Sequence, residues 1–231
     1  MKPLAAFVLL VLAGTAQAQP RGFTWEEVPA DVRSEVRTVV EDPTARSAVE
    51  HRRVVCAPRT YRHLLDHLPL AAVLLDALEL EGGEYTITDA PDDGFTIDDR
   101  NGARADCARL AAEPGRLLVI ARGSIDLGVT TVEGTGVIAV RYEEVEEGRG
   151  LRCSIHVDFR LNGRWLRALT SPLRRALDRA LSDKLEALIT SATHLPEAIE
   201  RDTVGVYQAL ARLRGVDRER LLDYRAGFLS R

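Results

Sequence analysis

A long strand pattern followed by a leucine-striped helix constrains this fold more than any other feature. From Leu151 to Leu161 apolar and polar residues alternate without a break, which predicts an antiparallel strand with one buried and one wet face. An Asn-Gly turn follows, and a helix is then predicted from Ser171 to His194, with Pro172 in its first turn. Strand and helix are each about 36 Å long, so the helix can cover the whole strand.

The predicted helix carries one apolar stripe. Its members recur at spacings of three and four residues, and they are Leu173, Leu177, Leu181, Leu185, Leu188 and Ala192. Basic residues such as Arg174 and Arg179 lie mostly off this stripe. The pattern therefore predicts that the stripe packs against the sheet while the opposite side faces solvent.

The segment before this pair predicts an α+β fold with about seven strands. A short strand over His51–Ala57 precedes a helix that opens at Pro58, and Pro69 separates it from a second helix that ends at Leu80. Six strands joined by short turns follow, over residues 85–88, 95–97, 103–110, 116–127, 131–144 and 151–161. Because sequential antiparallel strands usually pair, we expect a continuous meander.

The first eighteen residues have the pattern of a secretory signal. Lys2 supplies the positive charge, Leu4 to Ala13 form the apolar core, and Ala16 to Ala18 form a small-residue cleavage site. The apolar run of about ten residues is short for a membrane span, which needs about 20. We therefore expect cleavage near Ala18, a periplasmic or secreted protein, and no transmembrane span in the mature chain.

The remaining ends predict two helical extensions around the central domain. Residues 19–50 are expected to form an N-terminal arm with a short helix, and residues 51–195 the domain itself. Pro196 is expected to close the long helix, which leaves residues 196–231 as a C-terminal helical tail.

Charge and cysteine content narrow the function classes. The chain has 31 basic and 35 acidic residues, so nothing indicates nucleic-acid binding. Cys56, Cys107 and Cys153 lack the spacing of a metal site. They allow one disulfide in any of three pairings, or all three are small buried residues.

Local motifs give no sign of a metal or cofactor. His63 and His67 are four residues apart, as in half a metal site, but no second half is evident and we expect solvated surface histidines. The aspartates between Asp89 and Asp99 lack the spacing of a calcium loop and are expected in turns. No nucleophile or phosphate-binding motif is present, so we predict no cofactor.

The order of strand, two helices, six strands and long helix resembles the helix-grip fold of the START and birch-pollen-allergen superfamily, also called SRPBCC. The stretch from Val54 through Pro58 to Asp66 is similar to that group's strand, proline and helix, and the helix from Ser171 matches its terminal helix. The resemblance implies a curved antiparallel sheet wrapped on a long C-terminal helix. It also implies an apolar or lipid-like small molecule bound between the two.

Small residues on the predicted sheet give an independent sign of a cavity. Ala103, Ala105, Ala121, Gly123, Gly134 and Gly136 lie on strand faces that should meet the helix. They leave volume for a ligand, or they merely let the sheet curl and the helix pack closely. The residues that we predict to contact a ligand are Leu173, Leu177, Leu181, Val157, Phe159, Tyr142, Ile138 and Tyr61.

Three functions are compatible with this pattern. The first is a carrier that binds a hydrophobic, lipid-like molecule without chemistry. The second is an enzyme of the polyketide-cyclase type, which needs an acid and a base inside the cavity; the candidates are tyrosines and His156, which lies on the wet face. The third is a module with a filled core whose terminal helices bind another envelope protein.

Overall fold

The computed structural model describes residues 22–80, 85–100, 102–126, 131–145, 150–163, 179 and 190–230. The helices are α1 (Arg33–Glu41), α2 (Pro58–Asp66), α3 (Leu68–Ala77), α4 (190–201), α5 (Thr203–Arg212) and α6 (Arg218–Tyr224). The strands are β1 (Ala45–Val54), β2 (Thr86–Asp89), β3 (Phe95–Asp98), β4 (Ala103–Glu113), β5 (Arg116–Asp126), β6 (Thr131–Glu144) and β7 (Leu151–Leu161). A short 3₁₀ turn, Trp25–Glu27, precedes α1, and a π-helical turn, Arg225–Leu229, follows α6.

All seven strands form one antiparallel sheet in the order β1-β7-β6-β5-β4-β3-β2. Strands β2 to β7 are a continuous meander, and β1 closes the order by pairing with β7. The α+β class and the meander predicted from the sequence are thus confirmed. The predicted bounds of β6 and β7 coincide with those observed.

The N-terminal boundary of the sheet is a correction to the sequence prediction. The first strand was expected at His51–Ala57 after an arm ending at residue 50, but β1 runs from Ala45 to Val54. It is an edge strand whose residues are mostly exposed, so its sequence lacks the apolar face from which a strand is predicted. A bulge between Val49 and Arg52, where His51 has a φ of 58°, further breaks the alternation.

The sheet is covered on the face that the sequence predicted to be wet. We call this the outer face and define it by Ile120, Val137 and Ala139; the inner face carries their strand neighbours, among them Ala121 and Gly136. The N-terminal arm packs on the outer face through Phe23, Val28 and the buried valines of α1, which are Val36, Val39 and Val40. Strands β5 and β6 are therefore buried on both faces.

Two buried carboxylates, Glu27 of the arm and Asp158 of β7, form ion pairs on the outer face. Glu27 is 8 % exposed and pairs with Arg116 and, at 3.8 Å, with Arg141. Asp158 is 5 % exposed and accepts a hydrogen bond from Arg46. Asp158 was expected to be solvated, and it is buried because the arm and β1 bring a guanidinium to it.

The C-terminal helices pack against α3. This helix buries Leu70 and Leu74 against residues of α4, α5, α6 and the π-helical turn, among them Ile199, Leu210 and Tyr224. Apart from the exposed Asp76 near its end, helix α3 carries only apolar residues, which is typical of a helix buried between two layers.

Pro196 does not close a helix, contrary to the sequence prediction, because residues 190–201 are helical. An interior proline costs about 3 kcal/mol. Leu195 and Ile199 are buried against α3, and each such side chain contributes about 1.5–3 kcal/mol. Glu197 and Glu200 also accept hydrogen bonds from the backbone N–H groups of Val55 and Ala57. These contacts offset the proline.

Candidate functional site

A cavity of about 330 Å³ lies between the inner face of the sheet and the helices α2, α3 and α4. Its volume is within the range of small-molecule sites. Most of the residues that line it are apolar, and the surface that they present to the cavity is almost wholly apolar, from the sheet and from the helices alike. A site of this kind binds apolar molecules by removing their surface from water.

The sheet side of the cavity is made of the small residues that the sequence singled out. All six line it: Ala103, Ala105, Ala121, Gly123, Gly134 and Gly136. The ladders place them next to one another, since Gly123 pairs with Ala105 and Gly134, and Ala121 pairs with Gly136. The open volume therefore lies where the sheet has little or no side chain.

The three glycines differ in what surrounds them. A Cβ atom on Gly123 would lie 2.6 Å from the Cα atom of Ala105, and one on Gly134 would lie 2.6 Å from the carbonyl oxygen of Arg160. These two glycines allow close approach between strands, which is the alternative explanation given above. A Cβ atom on Gly136 would have no neighbour nearer than 3.8 Å. Gly136 alone of the three leaves space that a side chain could fill.

Helices supply the rest of the cavity. Leu64, Leu65 and Leu68 come from α2 and the start of α3, and Leu75 comes from the end of α3. Helix α4 adds its proline and three residues that precede it, namely Ser191, Ala192, Leu195 and Pro196. The leucines of α2 were not among the residues predicted to contact a ligand.

The sheet contributes two further lining residues that were not predicted. Ile87 of β2 and Ile97 of β3 are directly paired and line the cavity, and Ile97 also pairs with Ala105. Their strands are short, so apolar alternation is weak there. The pairing register of β2, β3 and β4 brings these isoleucines beside the small residues, and a pairing register cannot be derived from the sequence alone.

Four of the eight residues predicted to contact a ligand line the cavity: Tyr61, Ile138, Val157 and Phe159. Leu173, Leu177 and Leu181 lie outside the described residues. Tyr142 is not among the lining residues, and its contact with a ligand stays a prediction. Its ring packs on that of Tyr61, with the centroids 5.0 Å apart. The inner face is filled at that end by larger side chains such as Val140 and Ile155, so the cavity does not extend to Tyr142.

The Tyr61 hydroxyl is held by a cysteine. Its oxygen lies 3.0 Å from the Sγ atom of Cys153, within hydrogen-bonding distance. Burial, followed by the proximity of Cys153, raises the pKa of Tyr61 well above its ordinary value. Tyr61 is therefore neutral at physiological pH and presents mainly its ring to the cavity.

Other polar groups in the lining are few. Asp99 is buried at 1 % exposure, and its carboxylate accepts a hydrogen bond of 2.7 Å from the backbone N–H of Ala103 in the turn between β3 and β4. Tyr85, Arg104, Ser124 and Ser191 also line the cavity. His156, the histidine considered for acid–base chemistry, pairs with Ala139 on the outer face and so points away from the cavity.

The three cysteines are buried free thiols, so none of the three disulfide pairings is present. Burial raises the pKa of Cys56 and of Cys107 to about 12. It also raises the pKa of Cys153. The interpretation that they are small buried residues is confirmed.

His63 and His67 are packed side chains, which corrects the expectation of solvated histidines. Their rings lie 4.3 Å apart, and His63 meets the ring of Phe228 edge-on at 4.9 Å. Burial and the neighbouring His67 lower the pKa of His63. In the described part of the chain no group of three or more potential metal ligands occurs.

No known protein family matches this chain, and no curated protein sequence matches it. Among the described residues, no helix combines the length and apolar character needed to cross a bilayer. The chain is therefore characterised by its α+β fold, with one seven-stranded antiparallel sheet, and by the apolar cavity on the inner face of that sheet.

Proposed function

We propose that this protein is a binding or carrier protein for a hydrophobic, lipid-like small molecule, which it holds in the cavity on the inner face of the sheet. The observation that carries the proposal is the cavity of about 330 Å³ with an almost wholly apolar lining. Protein interiors are otherwise packed as densely as organic crystals. Apolar space of this size beside a filled core favours a carrier over a module whose core is complete.

The lining also indicates the chemical class of the ligand. Side chains such as Leu68, Ile97 and Ile138 offer contact area but no hydrogen bonds. A charged group placed among them would lose its hydration without a partner, which is costly. The part of the ligand inside the cavity is therefore an uncharged hydrocarbon body, with at most a small polar end near Asp99 or Tyr85.

In the proposed arrangement the helix predicted over 171–194 covers the cavity as the long helix of a helix-grip fold. Two observations support this. Ala192, the last member of the apolar stripe, lines the cavity, and Arg179, which lies off the stripe, is helical and exposed. Leu173, Leu177 and Leu181 would then face the ligand together with Val157 and Phe159.

The secretory signal predicted over residues 1–18 supports a carrier that acts in the periplasm or outside the cell. There it would transfer a poorly soluble molecule between envelope sites. The mass of the mature protein tests the location, since cleavage after Ala18 leaves a chain that begins at Gln19.

Lipid extraction and mass spectrometry of protein purified from the periplasm test the function. A reproducible apolar compound that copurifies in stoichiometric amount is the expected result. If no compound copurifies and the purified protein takes up no neutral apolar fluorescent probe, the carrier proposal is wrong. A lipid that remains after the cavity has been filled by mutation would show binding elsewhere on the protein.

A further inference from the structure

His63 lies on α2, a wall of the cavity, and contacts the C-terminal segment through Phe228. Its ring lies between the ring of His67 and the edge of Phe228, which belongs to the π-helical turn after α6. The Nε2 atom of His63 is buried and has no hydrogen-bond partner within the described residues. An imidazole in this position is well accommodated while it is neutral. When protonated it would carry a buried N–H donor without an acceptor.

The backbone of the π-helical turn packs closely against the imidazole ring of His63 at Gly227. A Cβ atom on Gly227 would lie 2.6 Å from the Cε1 atom of His63, so a residue with a side chain cannot occupy the position without movement. Phe228 is 2 % exposed and packs in the cluster that includes Leu64 and Leu74. The segment 218–229, formed by α6 and the turn, is thus docked on α2 directly over His63.

Helix α2 is also a wall of the cavity. Leu64 and Leu65 follow His63 in the chain, and both line the cavity. Leu64 belongs at the same time to the cluster that holds the C-terminal helices. Loss of the docked segment would remove packing from the outer side of this wall.

We propose that protonation of His63 releases the segment 218–229 from α2 and opens the cavity, so that mild acidification discharges the ligand. This regulatory role rests on the proposed function of the cavity as a ligand site.

Two acidic residues near His63 favour an imidazolium, but their contributions are smaller than those of burial and His67, which oppose it. From its own helix Asp66 approaches, but it pairs with Arg62 at 3.5 Å. From α6 the backbone of Asp223 hydrogen-bonds to His63 and favours its protonated form, while the Asp223 carboxylate lies 3.8 Å from Arg220.

On the other sides the neighbours are neutral or basic. His67 lies at the junction of α2 and α3 and would repel an imidazolium if it were itself protonated. Arg225, the charged residue of the π-helical turn, is exposed.

The direction of the pH effect follows from the burial of His63. Burial first, and His67 second, lower the pKa of His63 in the docked state, while the undocked histidine titrates near its ordinary value of about 6.5. The undocked state therefore takes up a proton first as the pH falls. Docking is fully stable above that ordinary value and becomes weaker as the pH falls from it toward the lowered pKa.

Hydrogen exchange measured by mass spectrometry tests the release step on the full-length mature protein. Protection of the amides in residues 218–229, corrected for intrinsic exchange, is compared between about pH 8 and about pH 5, the range in which histidine titrates. We expect protection to fall on acidification in the wild-type protein. We expect that fall to be lost in His63→Leu, which keeps the packing but has no proton to gain. His63→Gln serves as a second neutral variant should His63→Leu not fold.

His194→Gln is the matched control, because His194 is an exposed histidine on α4. This variant should retain the wild-type pH dependence. The proposal is overturned if wild-type protection does not change with pH, or if both neutral variants at position 63 lose protection as the wild type does.

Release of bound N-phenylnaphthylamine, a neutral apolar probe, over the same pH range tests the link to the cavity. Release in parallel with loss of protection is the expected result, and a probe that stays bound after the segment is released overturns the proposal. If the probe fails to bind even near neutral pH, the carrier function is wrong, whereas the exchange experiment still reports on His63 docking.

Discussion

Gly136 and Phe159 face each other across β6 and β7, and a Cβ atom on Gly136 would lie 3.8 Å from the Cδ2 atom of the Phe159 ring. This is an ordinary van der Waals separation. Two residues earlier, a Cβ atom on Gly134 would lie 2.8 Å from the Cε2 atom of the same ring. One glycine therefore borders open space and the other is sterically required, although both line the cavity.

Replacement by alanine should destabilise the protein at Gly134 but not at Gly136. Gly134→Ala should destabilise the protein by about 1–3 kcal/mol, because the new methyl group overlaps the Phe159 ring and the Arg160 carbonyl oxygen. Gly136→Ala should be neutral or stabilising by about 0.5 kcal/mol, since it removes the entropy cost of a strand glycine without a clash. Urea unfolding of both variants measures the difference. Equal destabilisation would mean that Gly136 also packs against a filled core.

Leu74→Ala should destabilise the fold by about 2–5 kcal/mol, because the side chain is fully buried between α3 and the C-terminal helices and its removal leaves a cavity. The control is Leu222→Ala on α6, where the leucine is 50 % exposed and the change should stay within about 0.5 kcal/mol. Thermal unfolding compares the two. A small effect at Leu74 would show that the C-terminal helices are not part of the core.

The native protein should react very slowly with a thiol reagent at about pH 8, because the pKa of Cys56 and of Cys107 is raised to about 12 and burial limits access. All three cysteines should react after unfolding in the absence of reductant, since all three are free. A spectrophotometric thiol titration gives both values. Recovery of only one reactive thiol would reveal a disulfide and contradict the structure.

Asp158→Ala should cost about 1–3 kcal/mol, because it removes a buried acceptor and leaves the Arg46 guanidinium without its carboxylate. The matched control is Glu143→Ala, which breaks a surface pair with Arg152 and should cost less than about 1 kcal/mol. Chemical unfolding of both variants provides the test. Similar losses at the two sites would argue against a buried ion pair beneath the N-terminal arm.

Much of the sheet could be predicted from the sequence because its signals are local. Unbroken alternation gave the bounds of β7, and turn residues gave those of β6 and separated the strands of the meander. The small residues of the cavity were visible for the same reason, since strand periodicity assigns each residue to a face. The start of edge strand β1 was predicted at His51 rather than at Ala45, because an exposed strand has no apolar pattern.

What the sequence did not predict depends on contacts between distant segments. The outer face is buried by an arm that reaches Ala139 from Phe23, and such packing leaves no periodic trace in β6. Helix α4 runs through Pro196 because burial of Ile199 outweighs a local rule. Tyr142 lies on the inner face of the sheet, as predicted. It is not among the lining residues because larger side chains such as Val140 and Ile155 fill the inner face at that end.

The most direct test of the central claim is the binding of a neutral apolar probe to Gly136→Leu. A leucine here has room for its Cβ atom and extends into the cavity, so the fold should persist while the site is filled. The matched control is Gly163→Leu, the same change at an exposed position with no described atom within 4 Å of the added Cβ. We predict at least about a tenfold loss of probe affinity, or about 1.4 kcal/mol, for Gly136→Leu and wild-type affinity for Gly163→Leu. Wild-type affinity in a correctly folded Gly136→Leu protein would contradict the carrier assignment.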